Sequence, residues 1–277
     1  MDFIKFALRI GIAWFTLYSS AVLAEDQAAT PETTCLESPV VSVPSRPTVS
    51  NSTDTTQCGV VEVEYGWEQL HQAGLRQSDV TGGLRLGLAQ NLDFHWASTE
   101  FFHVALAGRN DSGLGDNWLG LKYRFYGQTK HVPSFGIFYQ AKVPASSAKL
   151  GTGYVDHAIS FLASKDVRKL HFDFNVTPIL AGSASGLHHN TGLTVSSSLP
   201  LNRKLSLVTE AYGYTQLGRD NPAYSSMMAG FTYESSSRLV FDAGIDSGVT
   251  HDAPQRRVYA GVTYAIGNAF SWVRGAR

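Results

Sequence analysis

Charge is scarce in this chain. Asp, Glu, Lys and Arg make up 16 % of its 277 residues, and 22 basic side chains almost cancel 23 acidic ones. That balance leaves no basic face for a phosphate backbone, so nucleic acid is not an expected partner. Cysteine is nearly absent: only Cys35 and Cys58 occur, both ahead of the first expected strand. In an oxidising periplasm they pair and close a loop, or they stay as two free thiols, and spacing alone does not decide. Long hydrophobic runs are missing too. Beyond residue 24 nothing reaches the roughly 18 uncharged apolar residues of a spanning helix. A soluble periplasmic protein shares that lack, so it settles nothing by itself.

What is present is glycine, 26 residues, and aromatic side chains, 12 % of the chain. With little charge, these suit barrel strands better than helices. Residues 1–24 read as a cleavable export signal. Lys5 and Arg9 form its basic region, Ile10 to Leu17 its apolar region, and Val22-Leu23-Ala24 its cleavage site. Residues 25–57, rich in Thr, Ser, Pro and Glu, read as a flexible periplasmic extension. They are also long enough to enter a lumen as a plug.

From Gly59 the pattern has period two. In Leu170-His171-Phe172-Asp173-Phe174-Asn175-Val176-Thr177 every even position is apolar and every odd one polar. Leu119, Leu121, Tyr123 and Phe125 alternate with Gly120, Lys122 and Arg124, and similar runs start at Val61, Phe135 and Leu239. Each has one apolar and one polar face. A soluble sandwich alternates as well, so connection length is the second test. Strands are expected near 60–68, 79–88, 92–99, 115–126, 133–143, 153–165, 169–180, 189–199, 203–215, 223–235, 237–248 and 255–267. Long connections (69–78, 100–114, 144–152, 181–188, 216–222, 249–254) then alternate with shorter ones at 89–91, 127–132, 166–168, 200–202 and Ser236. Short periplasmic turns, longer outer loops and an even strand number describe a membrane barrel. Phe94, Phe125, Phe135, Tyr233 and Phe241 fall on the apolar faces near the short turns, as an aromatic girdle would. The expected fold is all-β: an antiparallel up-and-down transmembrane β-barrel of about 12 strands over residues 58–270, with a C-terminal tail at 271–277.

With apolar faces toward outer-membrane lipid, the polar faces point into the lumen. Glu62, Glu64, Arg85, Asp93, His95, Lys122, Arg124, Lys142, Asp156, His171, Asp173, Glu210, Asp242 and Arg257 are the expected pore-lining residues. A Lys or Arg at the lipid midplane costs about 2–4 kcal/mol, so inward is the cheaper choice. These charges either select solutes or cross-link a filled interior. A barrel of about twelve strands lies between the filled eight-stranded and the open sixteen-stranded cases. Phe138 and Leu162 supply an apolar patch within that lumen for apolar solutes.

Gly113-Leu114-Gly115-Asp116 lacks the Lys-Ser/Thr of a phosphate loop and leads into a strand, so it reads as a tight turn. Entering a strand that carries Lys122-Tyr123, it resembles the outer-membrane proteins of the MetA-pathway of phenol degradation family. Lys142-Val143-Pro144, Gly151-Thr152-Gly153-Tyr154-Val155-Asp156, Glu210 and Asp242-Ala243-Gly244-Ile245-Asp246-Ser247-Gly248 follow in matching order. The resemblance spans about Gly59 to Ile266 and carries Gly113, Gly115 and Asp116 as its motif. Ala145-Ser146-Ser147 departs from the family's usual glycine, and the chain runs on from Phe270 to Arg277 instead of finishing on an aromatic residue.

The resemblance implies an outer-membrane channel or transporter of a Gram-negative bacterium, porin-like, passing small solutes that include hydrophobic or aromatic compounds. Barrel assembly machinery is then a partner. A structural or surface-interaction barrel without an open pore is the alternative, and a lipid-modifying enzyme the second. Barrel enzymes of that kind use His-x-Ser, which is absent here, and His157 and Ser160 sit three apart on opposite strand faces. His188-His189-Asn190 has no Cys or carboxylate cluster beside it in sequence. No catalytic residue, cofactor or metal is expected.

Overall fold

The computed structural model describes residues 35–106, 108–146, 150–216 and 222–275. The expected export signal and its cleavage site lie outside these residues. Thirteen strands follow in chain order: β1 (Val60–Gln72), β2 (Leu75–Ala89), β3 (Leu92–Leu106), β4 (Arg109–Gly113), β5 (Asn117–Tyr126), β6 (Ser134–Val143), β7 (Asp156–Val167), β8 (Leu170–Ser183), β9 (Gly186–Pro200), β10 (Leu205–Tyr214), β11 (Tyr224–Ser236), β12 (Leu239–Gly248) and β13 (Arg256–Asn268). A helix, α1 (Ala269–Gly275), ends the described chain, starting within the last residues assigned to the barrel and running into the expected C-terminal tail. Asn268 starts it, its Oδ1 accepting from the amides of Phe270 (3.0 Å) and Ser271 (3.2 Å), which satisfies two donors that a first helical turn leaves unpaired.

Twelve strands close into an antiparallel barrel. β1 pairs with β2 and with β13, β3 passes over β4 to pair with β5, and every other strand pairs with its chain neighbours. Closure leaves no open edge among the twelve strands of the wall. β4 is an extra arm, paired with the outer end of β3 from Phe102↔Gly113 to Leu106↔Arg109.

Several expected outer loops are strand. Residues 69–78 are the ends of β1 and β2 around a two-residue turn, Ala73-Gly74, with φ of 43° and 85°, the positive-φ pair that a tight hairpin requires. Residues 181–188 likewise continue β8 and β9 up to the Ala184-Ser185 turn, and 100–114 holds the end of β3 and all of β4. The ladder outlasts the alternation there because both faces of a projecting hairpin meet water, so polar residues stand on both.

Side-chain polarity across the wall is inverted relative to a soluble core. On β5, Leu119, Leu121, Tyr123 and Phe125 are 41–58 % exposed outward while Lys122 between them is 2 % exposed. Phe231, Tyr233, Phe241 and Ile245 repeat this on β11 and β12. Rings outward and charge inward is how a barrel meets lipid.

Candidate functional site

The inside of the barrel is occupied by the chain's own N-terminal segment. Cys35 and Cys58 form a disulfide, so residues 36–57 are a covalent loop tied at both ends. The tie sits at the short-turn end of the wall. Asn268 Nδ2 donates to Cys35 O (2.6 Å), and Gly59 N donates to Gly87 O (2.7 Å). The flexible extension expected at 25–57 is therefore, over 35–57, a placed element of the barrel interior.

From Ser42 to Thr56 the segment makes one circuit of the inner wall. Ser42 Oγ and Val43 N reach Glu62 on β1, and Ser45 N and Oγ reach Glu64 (2.7 and 2.5 Å). Arg46 Nε lies 3.3 Å from Asp242 on β12. Val49 N and Ser50 N both donate to Glu210 on β10 (2.8 and 2.6 Å), and Ser50 Oγ reaches Thr194 on β9. Asn51 N donates to Asn175 on β8, and Thr53 bonds Ser164 on β7 and Ser134 on β6. Asp54 pairs with Arg124 on β5 (2.7 Å), and Thr56 N donates to Asp93 on β3 (2.7 Å).

A buried segment without secondary structure leaves its amides unpaired, which costs about 1–3 kcal/mol for each orphan. Here the wall supplies the acceptors: carboxylates at Glu62, Glu64, Glu210 and Asp93, and an amide oxygen at Asn175. Prolines at 39, 44 and 47 have no N–H to satisfy. Short Ser, Thr and Asn side chains fit a lumen that is already narrow.

The fourteen residues assigned inward by alternation all lie on the interior face; eight are buried and six half-buried. They form three groups. Around the segment, Arg85 bonds both Glu62 and Glu64, Asp93 bonds His95 (2.9 Å) and is the register partner of Lys122, and Glu210 and Asp242 hold the segment as described. Arg124 adds Asn91 to its Asp54 contact, and His171 bridges Asp166 and Asp173 (2.7 and 3.1 Å). Toward the long-loop end, Lys142 pairs with Asp156 (2.5 Å). On the opposite wall, Arg257 pairs with Asp246 (3.1 Å) and Glu68 (3.4 Å) and lies 3.4 Å from Tyr212 Oη.

Sequence reasoning missed Asp79, Asp246, Tyr212 and Tyr259, all buried inside. Asp246 shares the parity of Asp242, and Asp79 that of Arg85, so extending the alternation finds both. The segment's seats, Asn175, Ser164 and Ser134, carry no comparable mark, because small polar residues are common on any inner face.

The Gly113-x-Gly115-Asp116 motif is a clasp between outer loops. Gly115 N donates to Thr99 O (2.8 Å), and a Cβ on Gly115 would stand 2.5 Å from that of Thr99. Asp116 Oδ1 accepts from Ala145 N (3.1 Å) and Ser146 N (3.0 Å), with Lys142 Nζ 3.8 Å away. Partial burial opposes its charge, but those donors and the ammonium outweigh it and hold the Asp116 carboxyl below its ordinary range.

Two small cavities flank the segment. One, of about 190 Å³, lies among Val43, Asp54, Gln57, Gln90 and Arg124. The other, of about 130 Å³, lies beside Ser45 and Asn51 and is walled by Arg85, His95, Trp118, Phe138 and Gln140. Phe138 packs against His95 with ring centroids 4.6 Å apart and the planes tilted by 49°, whereas Leu162, buried on the interior face of β7, does not line this cavity. Among the described residues no group of His, Cys, Asp or Glu is arranged to hold a metal ion. The arrangement is a barrel with a polar interior, across which a tethered strap is bonded to the wall.

Comparison with known proteins agrees with this architecture. The family model described as "Putative MetA-pathway of phenol degradation" matches residues 45–266. Among solved structures, an outer membrane channel from Pseudomonas putida aligns with a TM-score of 0.63 at 12 % identity, covering 79 % of this chain and all of that one. The NanC porin aligns at 0.53 and 9 % identity, covering 74 % of this chain and 98 % of its own. The KdgM porin, solved with disordered oligogalacturonate, aligns at 0.53 and 10 % identity, covering 74 % and 99 %. At such identities these likenesses show the fold. No curated protein matches by sequence.

Proposed function

This chain belongs to the MetA-pathway of phenol degradation family, and from that premise we propose that it is an outer-membrane channel for small solutes, closed at rest by its own N-terminal segment. The observation that carries the reading is the circuit of Ser42 to Thr56 around the inner wall. A barrel built only as a scaffold fills its lumen with wall side chains; this one keeps carboxylates at Glu62, Glu64, Glu210 and Asp93 that the strap occupies and leaves exposed to the lumen when it departs. Fourteen inward charged or titratable residues line the route. The 130 Å³ cavity with Trp118 and Phe138 is close to the roughly 150 Å³ that holds a benzene ring, which supports aromatic compounds among the solutes.

Protein purified from outer membranes, checked for heat-modifiable migration, is tested in a planar lipid bilayer. The native chain is expected to show rare conductance steps. Gly66→Leu, which puts a side chain where Arg46 lies, is expected to make them frequent. A folded barrel silent in both forms removes the channel reading and favours a barrel that acts through its outer loops.

A further inference from the structure

Arg46 is the one cationic side chain on the strap between Cys35 and Cys58, and the wall is shaped to receive it. Gly66 on β1, Gly261 on β13 and Asp242 on β12 are register partners in one row across three strands. The guanidinium lies against the two glycines: a Cβ on Gly66 would overlap its Cζ and both Nη atoms, and one on Gly261 its Nε. Asp242, whose side chain is 3 % exposed, takes Nε through Oδ2 at 3.3 Å. Its other oxygen, Oδ1, is buried and accepts no hydrogen bond. A planar slot two residues wide, with a buried carboxylate at its end that still has an empty acceptor, is more than Arg46 uses.

We propose that this slot is a binding site for a solute carrying a guanidinium or amidinium group, and that in the closed state Arg46 occupies it as a tethered stand-in. The planar N–H fork of such a group matches the two oxygens of a carboxylate, of which Arg46 Nε fills one. Two adjacent glycines give a floor without side chains that a rounder cation does not exploit. Glu64, two residues before Gly66 on the same face of β1, adds a second carboxylate near Asp242. When such a solute takes the slot, Arg46 loses its place and the strap loses one of its fixed points. This deepens the channel reading by naming a solute class, and the route by which the solute arrives rests on that reading.

Because Arg46 sits on a loop tied at both ends, it competes at an effective concentration of millimolar order. The test is calorimetric titration of the full-length, disulfide-intact protein in detergent with methylguanidinium chloride, and with tetramethylammonium chloride as a cation without N–H donors. Arg46→Ala is expected to bind methylguanidinium at least about tenfold more tightly than the native chain, and tetramethylammonium far more weakly. Adding Asp242→Asn, or Gly261→Ala to fill the slot, is expected to abolish that binding. If Arg46→Ala does not give a heat-modifiable barrel, Arg46→Gln is the background.

Equal binding with and without Asp242→Asn, equal binding of the two cations, or no binding to the Arg46 variants overturns the proposal. Bilayer conductance on the same preparations separates the two readings. Binding without conductance keeps the site and removes the channel, whereas conductance without binding does the reverse.

Discussion

Glu210 shows how a single side chain holds the strap. It accepts two consecutive strap amides at 2.8 and 2.6 Å while 4 % exposed. Hydrogen bonds to a charged group contribute about 1.5–3 kcal/mol. With two such bonds lost, Glu210→Ala is therefore expected to shift the closed-to-open ratio by at least about 100-fold toward open, read as open probability in single-channel records. Glu210→Gln keeps one acceptor and should fall between. An unchanged open probability in Glu210→Ala would mean that the strap is held elsewhere. Alternation identified Glu210 as inward from sequence, but not its partner. Nothing local in Val49-Ser50 marks it as complementary to a strand 160 residues away.

At the level of elements, the clasp at Asp116 joins the loop entering β5 to the loop leaving β6. Its carboxyl titrates below its ordinary value in the folded protein, so the clasp contributes stability that is complete above the ordinary carboxylate pKa. That contribution is lost as pH falls through the lowered folded value. Protection of the Ala145 and Ser146 amides against hydrogen exchange, taken relative to their intrinsic rates at each pH, should accordingly persist near neutral pH and be lost only under acid conditions. In Asp116→Asn exchange should be near the intrinsic rate throughout. Slow exchange in that variant would show that the loops hold without the clasp. The strands themselves were legible where lipid faces one side and the lumen the other, as in Leu170 to Thr177. They were illegible at 69–78 and 181–188, where the hairpins leave lipid. A backbone ladder needs no alternation, and only one-sided burial writes alternation into sequence.

For the whole molecule, the disulfide decides how far the strap is free. Closing a loop of this size removes chain entropy worth about 3 kcal/mol. Cys35→Ser with Cys58→Ser is expected to leave the barrel folded, with unchanged heat-modifiable migration, because no strand depends on the bond. It should raise the strap-out population by up to about 100-fold, seen as faster proteolysis between residues 42 and 57. Equal cleavage rates with and without the bond would show that wall contacts alone keep the strap in. Barrel class and strand count followed from period and connection length. That the extension is an internal part did not, since its composition matches that of any mobile linker and its order comes wholly from the wall.

A stopper anchored at one end can be drawn out and lost to solution or to a protease. This one is anchored at both, by Cys35 through the disulfide and by Cys58 through the start of β1. Whatever moves it, it leaves as a bight and stays beside the mouth it came from. Reclosure is then a first-order event whose rate is independent of protein concentration and needs no helper to find the opening. Each excursion is a bounded interval, timed by the loop's own return.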